Sequence, residues 1–279
     1  MAALARYFLL INGCIGSLAA AAEITLQAIA SDLTPPAITE GEPGAGRRVL
    51  QALPEYRGTP IRHALYLPRD WLPGKKYPVI VEYSGNGRTV AGGQACLGYG
   101  ASRGDGFIWI CLPFVSEDRS HDTATWWGDL AANVRYCQDA VATVIAAWGG
   151  DRHAIFIAGF SRGAIACNVI GLHDDTIAGL WRGMICHSHY DDGRWRGTDP
   201  TAANQRLARL GRIPQFITNE RPVVEKERIA EHLKSAKPDG AFTFVTLPFT
   251  EHTETWVLRD LPERAQLRAW LQRVLATDP

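Results

Sequence analysis

The sequence lacks the features that would point to nucleic acid, metal or membrane binding. Its 29 lysines and arginines equal its 29 aspartates and glutamates, so no basic field favours nucleic acid and no polybasic tail favours a membrane surface. No C-x-x-C or H-x-x-x-H spacing suggests a metal site. It contains no internal repeat and no low-complexity run. With 279 residues, 46% of them apolar, it is long enough for one large globular domain.

Long apolar runs are also lacking, except near the N-terminus. Arg6 precedes the apolar run 7–11, and small residues continue to Ala22, which is typical of a signal peptide with an A-x-A cleavage site. A membrane anchor is the alternative, but the run is short for a span of about 20 residues. A faint lipoprotein box at 11–14 fits poorly. We predict a signal peptide at 1–22 and a secreted or periplasmic protein, with no membrane span elsewhere.

Cysteine is scarce, and its number after removal of the signal peptide is odd. At least one thiol must then stay free in an oxidising compartment. Cys111, Cys167 and Cys186 lie in apolar strands or a small-residue helix and are interpreted as buried hydrophobic residues. Cys96, in a loop, and Cys137, on a helix, are the pair that we expect to form any disulfide.

Apolar periodicity predicts alternating strands and helices after an irregular leader at 23–47. The predicted strands are 49–53, 61–67, 77–83, 106–112, 154–158, 183–187, 214–218 and 241–247, and the predicted helices are 130–148, 162–172, 201–210, 224–235 and 261–275. The loop 89–106 is long and glycine-rich with little helical pattern. The alternation predicts an α/β domain over 48–279, with a mostly parallel sheet of about eight strands and helices on both faces.

The strongest motif lies between the strand 154–158 and the helix 162–172. Gly159-Phe160-Ser161-Arg162-Gly163 matches the G-x-S-x-G turn. The two glycines relieve the crowding of a strand that turns at once into a helix. The serine then stands at the tip with its hydroxyl exposed and the next N–H free to bind an oxyanion. This context favours a nucleophilic Ser161 over a tight crossing with an inert serine.

A serine hydroxyl needs an imidazole base, which in turn needs a carboxylate to orient it. The chain order serine, acid, histidine favours His252, in the loop after the last predicted strand, as the base. Glu220 follows the strand 214–218 and is the favoured acid. The alternative acids are Asp191, Asp192, Glu225 and Glu251. Because ligands bind at the carboxyl ends of parallel strands, these groups are expected to meet at one edge of the sheet.

Other polar and aromatic residues follow predicted strands and are candidates for binding. The turn 84–87 ends the strand 77–83, and its Gly85 or Asn86 N–H is the expected second oxyanion donor; an ordinary turn is the alternative. His187 and His189 are candidates for substrate contacts. Trp126 and Trp127, at the start of the helix 130–148, are predicted either to line the pocket or to belong to the core.

Residues 50–275 resemble the α/β-hydrolase superfamily, most closely secreted esterases similar to polyhydroxybutyrate depolymerases and feruloyl esterases. The resemblance rests on the strand 61–67 with Pro68, the segment 79–87, the motif 159–163 and His252. It implies Ser161 as the nucleophile and the Arg162 N–H as one oxyanion donor, with Gly85 or Asn86 supplying the other. Here a glycine-rich loop is expected where the family has a helix after the oxyanion strand.

The expected function is therefore a secreted, cofactor-free serine hydrolase that cleaves carboxylic esters through an acyl-enzyme. Its partner would be a small-molecule or polymeric ester, with no nucleic acid. Two other hypotheses stay open: a serine peptidase of the prolyl-oligopeptidase type and a non-catalytic binding protein on the same fold. The sequence leaves the ester and the oligomeric state undetermined.

Overall fold

A nine-stranded, mostly parallel sheet forms the centre of the computed structural model, which describes residues 25–277. The predicted signal peptide lies outside these residues. The strands are β1 (Ile38–Thr39), β2 (Arg48–Gln51), β3 (His63–Tyr66), β4 (Tyr77–Tyr83), β5 (Ile108–Leu112), a separate hairpin of β6 (Phe114–Val115) and β7 (Asp122–Thr123), and then β8 (Gly150–Phe160), β9 (Gly183–His187), β10 (Gln215–Asn219) and β11 (Phe242–Thr246). Within the range 25–277, no helix is long and apolar enough to cross a membrane.

The order of strands in the sheet is β1-β2-β3-β5-β4-β8-β9-β10-β11. β3 runs antiparallel to its neighbours β2 and β5, and the other described neighbours are parallel. The helices are α1 (Leu97–Ser102), α2 (Leu130–Trp148), α3 (Arg162–Val169), α4 (Asp175–Ala178), α5 (Pro200–Ala208), α6 (Val224–Ala236) and α7 (Pro262–Ala276). The predicted α/β sheet of about eight strands is confirmed.

Two apolar cores cover the two faces of the sheet. Along β8, Ile155 and Ile157 point to one core, while Phe156 and Ala158 point to the other, as the two-residue period of a strand requires. The first core packs against buried residues of α2 to α6 and the second against those of α1 and α7. Helices on both faces explain why the central strands are continuously apolar.

Helix α1 corrects the expected helix-free loop at 89–106. Its glycines hide it from sequence patterns, yet close packing requires them: a Cβ on Gly98 would lie 2.3 Å from Trp109 Cδ1, and one on Gly100 would lie 2.3 Å from Val257 Cγ2. The buried Glu82 carboxylate on β4 accepts the N–H groups of residues 96, 97 and 98 at 2.9–3.1 Å. Tertiary capping therefore stabilises a helix that propensity disfavours.

The expected Cys96–Cys137 disulfide is wrong. All five cysteines of the described chain are free and buried. Cys137 lies on α2 in the first core, whereas Cys96 precedes α1 in the second, so the sheet separates them. They are small apolar core residues, the interpretation given above to the other three.

The leader is largely irregular, as predicted, and the described part packs against the domain. Leu26 is buried in the second core, and its N–H donates to Glu251 Oε1 at 2.8 Å. Asp32 accepts two hydrogen bonds from the buried Arg264 of α7, at 2.5 and 2.6 Å. Burial by itself would lower the pKa of Arg264, but the hydrogen bonds to Asp32 outweigh burial, so the pKa is raised.

Candidate active site

Ser161 occupies a strained turn between β8 and α3. Its backbone has φ 53° and ψ −115°, a region that residues with a side chain rarely adopt. The Ser161 N–H donates to the His187 carbonyl at 2.8 Å, which ties the turn to β9. A Cβ on Gly159 would lie 2.1 Å from the Gly163 carbonyl oxygen, so the backbone passes itself too closely for a side chain.

Three side chains from separate loops form a hydrogen-bonded chain at the carboxyl edge of the sheet. Ser161 Oγ lies 3.0 Å from His252 Nε2, and His252 Nδ1 lies 3.0 Å from Glu220 Oε1. Ser161 follows β8, Glu220 follows β10, and His252 follows β11 by six residues. The His252 side chain is 50% exposed and that of Glu220 only 10%, so the histidine is open to a ligand while the acid is sheltered.

Glu220 stays ionised despite its sheltered position. Burial alone would raise the pKa of its carboxyl group, but the hydrogen bonds from His252 and from the Ser188 hydroxyl outweigh burial, and the pKa is lowered to about 2. Ser188 has a left-handed backbone (φ 74°) and is buried, and its hydroxyl donates to Glu220 Oε1. At neutral pH the carboxylate can therefore accept from His252 Nδ1–H and fix that ring in the tautomer whose Nε2 faces Ser161.

The alternative acids are engaged elsewhere. Asp191 is buried and accepts from Arg206 at 2.8 Å, and Asp192 pairs with Arg228. Glu225 pairs with Arg194 and Arg228, and Glu251 accepts the Leu26 N–H. Among the described residues, Glu220 is the predicted acid that contacts His252.

His187 does not fit the predicted substrate contact. Its side chain is fully buried, and both ring nitrogens are engaged, Nδ1 with Thr218 Oγ1 at 2.9 Å and Nε2 with the Thr253 carbonyl at 3.0 Å. A carbonyl only accepts, so Nε2 carries the proton and Nδ1 accepts from the threonine hydroxyl. Burial lowers the pKa of His187, which keeps the ring neutral. Through its hydrogen bond to the Thr253 carbonyl, the His187 ring positions the backbone next to His252.

His189 remains a candidate for substrate contact. Its ring is partly exposed and packs edge-on against His252 at 5.2 Å and Trp195 at 4.5 Å between centroids. Burial, with a smaller contribution from His252, lowers the pKa of His189 to about 4. It is therefore a neutral group beside the candidate base.

The two tryptophans differ in exposure. Trp126 is 1% exposed and packs on Phe114 and Trp127 in the first core, so its ring belongs to the core, as the alternative prediction has it. Trp127 is half-buried, and the Arg162 guanidinium carbon lies 4.4 Å from its ring centroid. Trp127 thus stays partly accessible beside the Arg162 guanidinium, and its ring packs on Trp126.

The expected oxyanion donors lie on both sides of Ser161. Arg162 is the first residue of α3, where a backbone N–H has no intrahelical acceptor. Gly85 is buried, and a Cβ on it would lie 2.8 Å from Phe160 Cδ1, so the backbone of the turn runs tightly beside the residue that precedes Ser161. Asn86 is exposed at the tip of that turn. The choice between Gly85 and Asn86 stays open.

A buried ion pair that the sequence analysis missed joins the oxyanion turn to the histidine loop. Arg88 donates to Glu254, whose side chain is fully buried. The Arg88 guanidinium carbon also lies 5.2 Å from the Phe160 ring centroid, and that ring is 4.7 Å from the His252 ring. Nothing in the sequence pairs two residues so far apart. The pair fixes the two loops relative to each other.

The Arg88–Glu254 pair predicts a pH-dependent stability. Burial disfavours the charged Glu254 carboxylate more than the Arg88 charge favours it, so the pKa of Glu254 is raised to about 7. A raised folded-state pKa contributes stability that is present at low pH and lost as pH rises through that value. Arg88→Met removes the cation that opposes this loss. Arg88→Met should therefore reduce the free energy of unfolding more at pH 8.5 than at pH 5.5. The extra reduction is up to about 2 kcal/mol, at 1.36 kcal/mol per pKa unit.

Chemical denaturation of both proteins at the two pH values measures this difference. The matched control is the same substitution in a Glu254→Gln background, where the loss should be equal at pH 5.5 and 8.5. If Arg88→Met loses the same stability at pH 5.5 and 8.5 while Glu254 is present, Arg88 does not compensate the charge of Glu254.

A cavity of about 690 Å³ lies away from this edge. It is lined by Arg152 and Arg182, at the amino ends of β8 and β9, and by Trp270 of α7. Parallel sheets bind ligands at their carboxyl ends, so we assign the chemistry to the Ser161 edge instead. In the described chain, no group of three or more histidine, cysteine, aspartate or glutamate side chains is arranged to hold a metal ion.

No protein-family model matches the sequence, and no curated protein matches it. Solved structures do. A thermostable esterase superposes with a TM-score of 0.54 at 16% identity, covering 81% of this chain and 62% of its own. Est1E from Butyrivibrio proteoclasticus gives 0.56 at 10% identity, covering 82% and 99%. Thermogutta terrifontis esterase 2 phosphorylated by paraoxon gives 0.56 at 16% identity, covering 82% and 93%.

Two of these neighbours are named as esterases, and at such identities the likeness establishes the fold. The chain spans 62% of the length of the thermostable esterase and nearly all of Est1E. The chain therefore has the α/β-hydrolase fold.

Proposed function

We propose that this protein is a serine hydrolase that cleaves carboxylic esters through an acyl-enzyme. One observation carries the proposal: Ser161 Oγ, the His252 ring and the Glu220 carboxylate are joined by two 3.0 Å hydrogen bonds at the ligand-binding edge of the sheet. The esterase neighbours support it, as does the paraoxon-phosphorylated state of one of them.

Each step has an assigned residue. His252 Nε2 takes the Ser161 proton as Oγ attacks the ester carbonyl carbon, and the carbonyl electron pair moves to the oxygen. The N–H groups of Arg162 and of Gly85 or Asn86 stabilise that oxyanion. The oxyanion collapses, the carbon–oxygen bond to the alcohol breaks, and His252 returns its proton to the departing oxygen. Water, deprotonated by His252, then attacks the acyl carbon. The bond from that carbon to Ser161 Oγ breaks, His252 returns the proton to Oγ, and the acid leaves.

Glu220 has a supporting role. Its carboxylate accepts from His252 Nδ1–H, which keeps Nε2 free to accept the serine proton and stabilises the imidazolium that forms. Glu220 itself is not protonated in this scheme. The resemblance to polyhydroxybutyrate depolymerases and feruloyl esterases makes hydroxyalkanoate and aromatic esters the first substrates to assay. A panel of matched peptides separates this proposal from a peptidase.

Covalent labelling with a fluorophosphonate tests the proposal. Ser161 Oγ attacks phosphorus and fluoride leaves, so intact mass should rise by the mass of the probe less that of HF. We expect one adduct on the wild type and none on Ser161→Ala, because removal of an activated nucleophile abolishes the chemistry. No adduct on folded wild-type protein would contradict the proposed chemistry and favour a non-catalytic binding protein.

A further inference from the structure

Two guanidinium groups share the Trp127 ring beside Ser161. The Arg162 guanidinium carbon lies 4.4 Å from the ring centroid and that of Arg196 lies 5.8 Å from it. Arg162 directly follows Ser161, whereas Arg196 comes from the exposed loop between β9 and α5. Two distant parts of the chain thus bring two positive charges to one aromatic face.

Neither cation is neutralised by the protein. Within residues 25–277, no carboxylate lies within 4.0 Å of Arg162 or Arg196, although Arg194, in the same loop as Arg196, and Arg206, in α5, each form an ion pair. Burial and the charge of Arg196 together lower the pKa of Arg162, so the two cations repel one another. Like charges without an anion are an unfavourable arrangement, and a bound anion would relieve it.

Two buried donors in the same cluster also lack acceptors. Among the described residues, Arg162 Nε and the indole Nε1 of Trp126, which packs on Trp127, have no hydrogen-bond partner. Buried polar groups are nearly always paired, so each such atom needs an explanation. Donors left without acceptors beside two unpaired cations are what an anion-binding site contains before its ligand arrives.

The loop that carries Arg196 is fixed. Trp195 Nε1 donates to the Tyr190 carbonyl at 2.7 Å, and Arg194 pairs with Glu225 at 2.6 Å. A Cβ on Gly197, which has φ 84°, would lie 3.2 Å from Trp127 Cβ, so the loop backbone lies against the indole. Arg196 therefore approaches Trp127 from a held backbone rather than a free one.

We propose that Arg162 and Arg196 bind an anionic group, a carboxylate or a phosphate, carried by the ester substrate, with Trp127 as the floor of the site. The inference rests on the proposed esterase function and names its substrate class. Consecutive Cα atoms are about 3.8 Å apart. The site is therefore built on the residue next to the candidate nucleophile.

Paired esters that differ in charge test the proposal. The first pair is 4-acetoxybenzoate and 4-acetoxybenzamide, with the charge on the alcohol side; the second is 4-nitrophenyl hydrogen glutarate and its terminal amide, with the charge on the acyl side. A third ester, 4-acetoxyphenyl phosphate, separates phosphate from carboxylate recognition. The readout is the ratio of kcat/KM for the anionic ester to that for its neutral partner.

Arg196→Gln should lower this ratio by roughly 10-fold for at least one pair, because one charge-assisted contact is lost. Arg196→Lys keeps the charge and should retain most of the preference. Arg69→Gln is the matched control: it removes the same charge from a guanidinium engaged by Asp105, beyond the amino end of β5 and at the edge of the sheet opposite Ser161, and the ratio should not change. Higher salt should weaken the wild-type preference.

An unchanged ratio in Arg196→Gln, or an equal drop in Arg69→Gln, would overturn the anion site while leaving the esterase proposal standing. A melting measurement separates a loss of preference from a loss of folding. Calorimetric titration of Ser161→Ala with 4-acetoxybenzoate needs no turnover and so tests the site even if the esterase proposal fails. Affinity should fall when Arg196→Gln is added, and unaltered affinity would also overturn the inference.

Discussion

Glu220→Gln should lower kcat for ester hydrolysis by roughly 10⁴-fold with little change in KM. The amide keeps the size of the side chain but can present an N–H to His252 Nδ1, where the carboxylate only accepts. The imidazole would then carry its proton on Nε2, facing Ser161, and could not take the serine proton. Loss of the negative charge also removes the group that stabilises the imidazolium. Steady-state kinetics with a neutral 4-nitrophenyl ester measures the effect.

The alternative acids supply the controls. Asp192→Asn removes a carboxylate from the neighbouring loop that pairs with Arg228 rather than with His252, and kcat should change less than tenfold. Asp191→Asn breaks a buried pair with Arg206, so a loss of stability is expected in place of a selective loss of kcat. A Glu220→Gln enzyme with near wild-type kcat, or an Asp192→Asn enzyme without activity, would move the orienting role to another acid.

Much of the fold follows from local patterns in the sequence. The residue bounds predicted for β4 and β9 are those observed, because a continuous apolar run between polar turns defines a covered strand. Helix α1 shows the limit of this reasoning. Its glycines argue against a helix, and only Glu82 on β4, 14 to 16 residues earlier, makes it favourable. Contacts of that kind cannot be inferred from periodicity.

Sequence patterns likewise predict one part of the candidate site and miss another. Chain order and placement after strands were enough to select Ser161, Glu220 and His252, which the structure brings within hydrogen-bonding distance. Residue type could not show that His187 is buried with both ring nitrogens engaged. Sequence chemistry identifies groups that can react, whereas the burial of each group decides whether it meets a ligand or supports one that does.

The Arg88–Glu254 and Arg162–Trp127–Arg196 arrangements could not be predicted for a related reason. Each joins segments far apart in the chain, with no motif to mark the pairing. Arg162 is itself a predicted oxyanion donor, and Arg88 directly follows the turn 84–87 that holds the other. A charged side chain at or next to a predicted backbone donor is therefore a signal of further function.

Gly163→Ala should destabilise the protein by about 3 kcal/mol and lower its melting temperature by roughly 6–12 °C. The added Cβ would lie 1.9 Å from the Tyr83 carbonyl oxygen and 2.9 Å from the Ser84 carbonyl oxygen. Both clashing atoms are backbone, so no side-chain rotation relieves them. Helix α3 would have to move away from β4, and Ser161 and the Arg162 N–H would move with it. Labelling by a fluorophosphonate should slow accordingly.

Gly44→Ala provides the matched control, since its Cβ would meet only the Arg47 Cδ at 3.5 Å, an ordinary contact with a flexible side chain. Its effect on stability should stay within about 0.5 kcal/mol. A Gly163→Ala protein that melts and labels like the wild type would mean that α3 and β4 are not in close backbone contact. The expected pair of results would instead show that this glycine serves both the fold and the reaction, because the contact that packs α3 against the sheet also sets the position of Ser161.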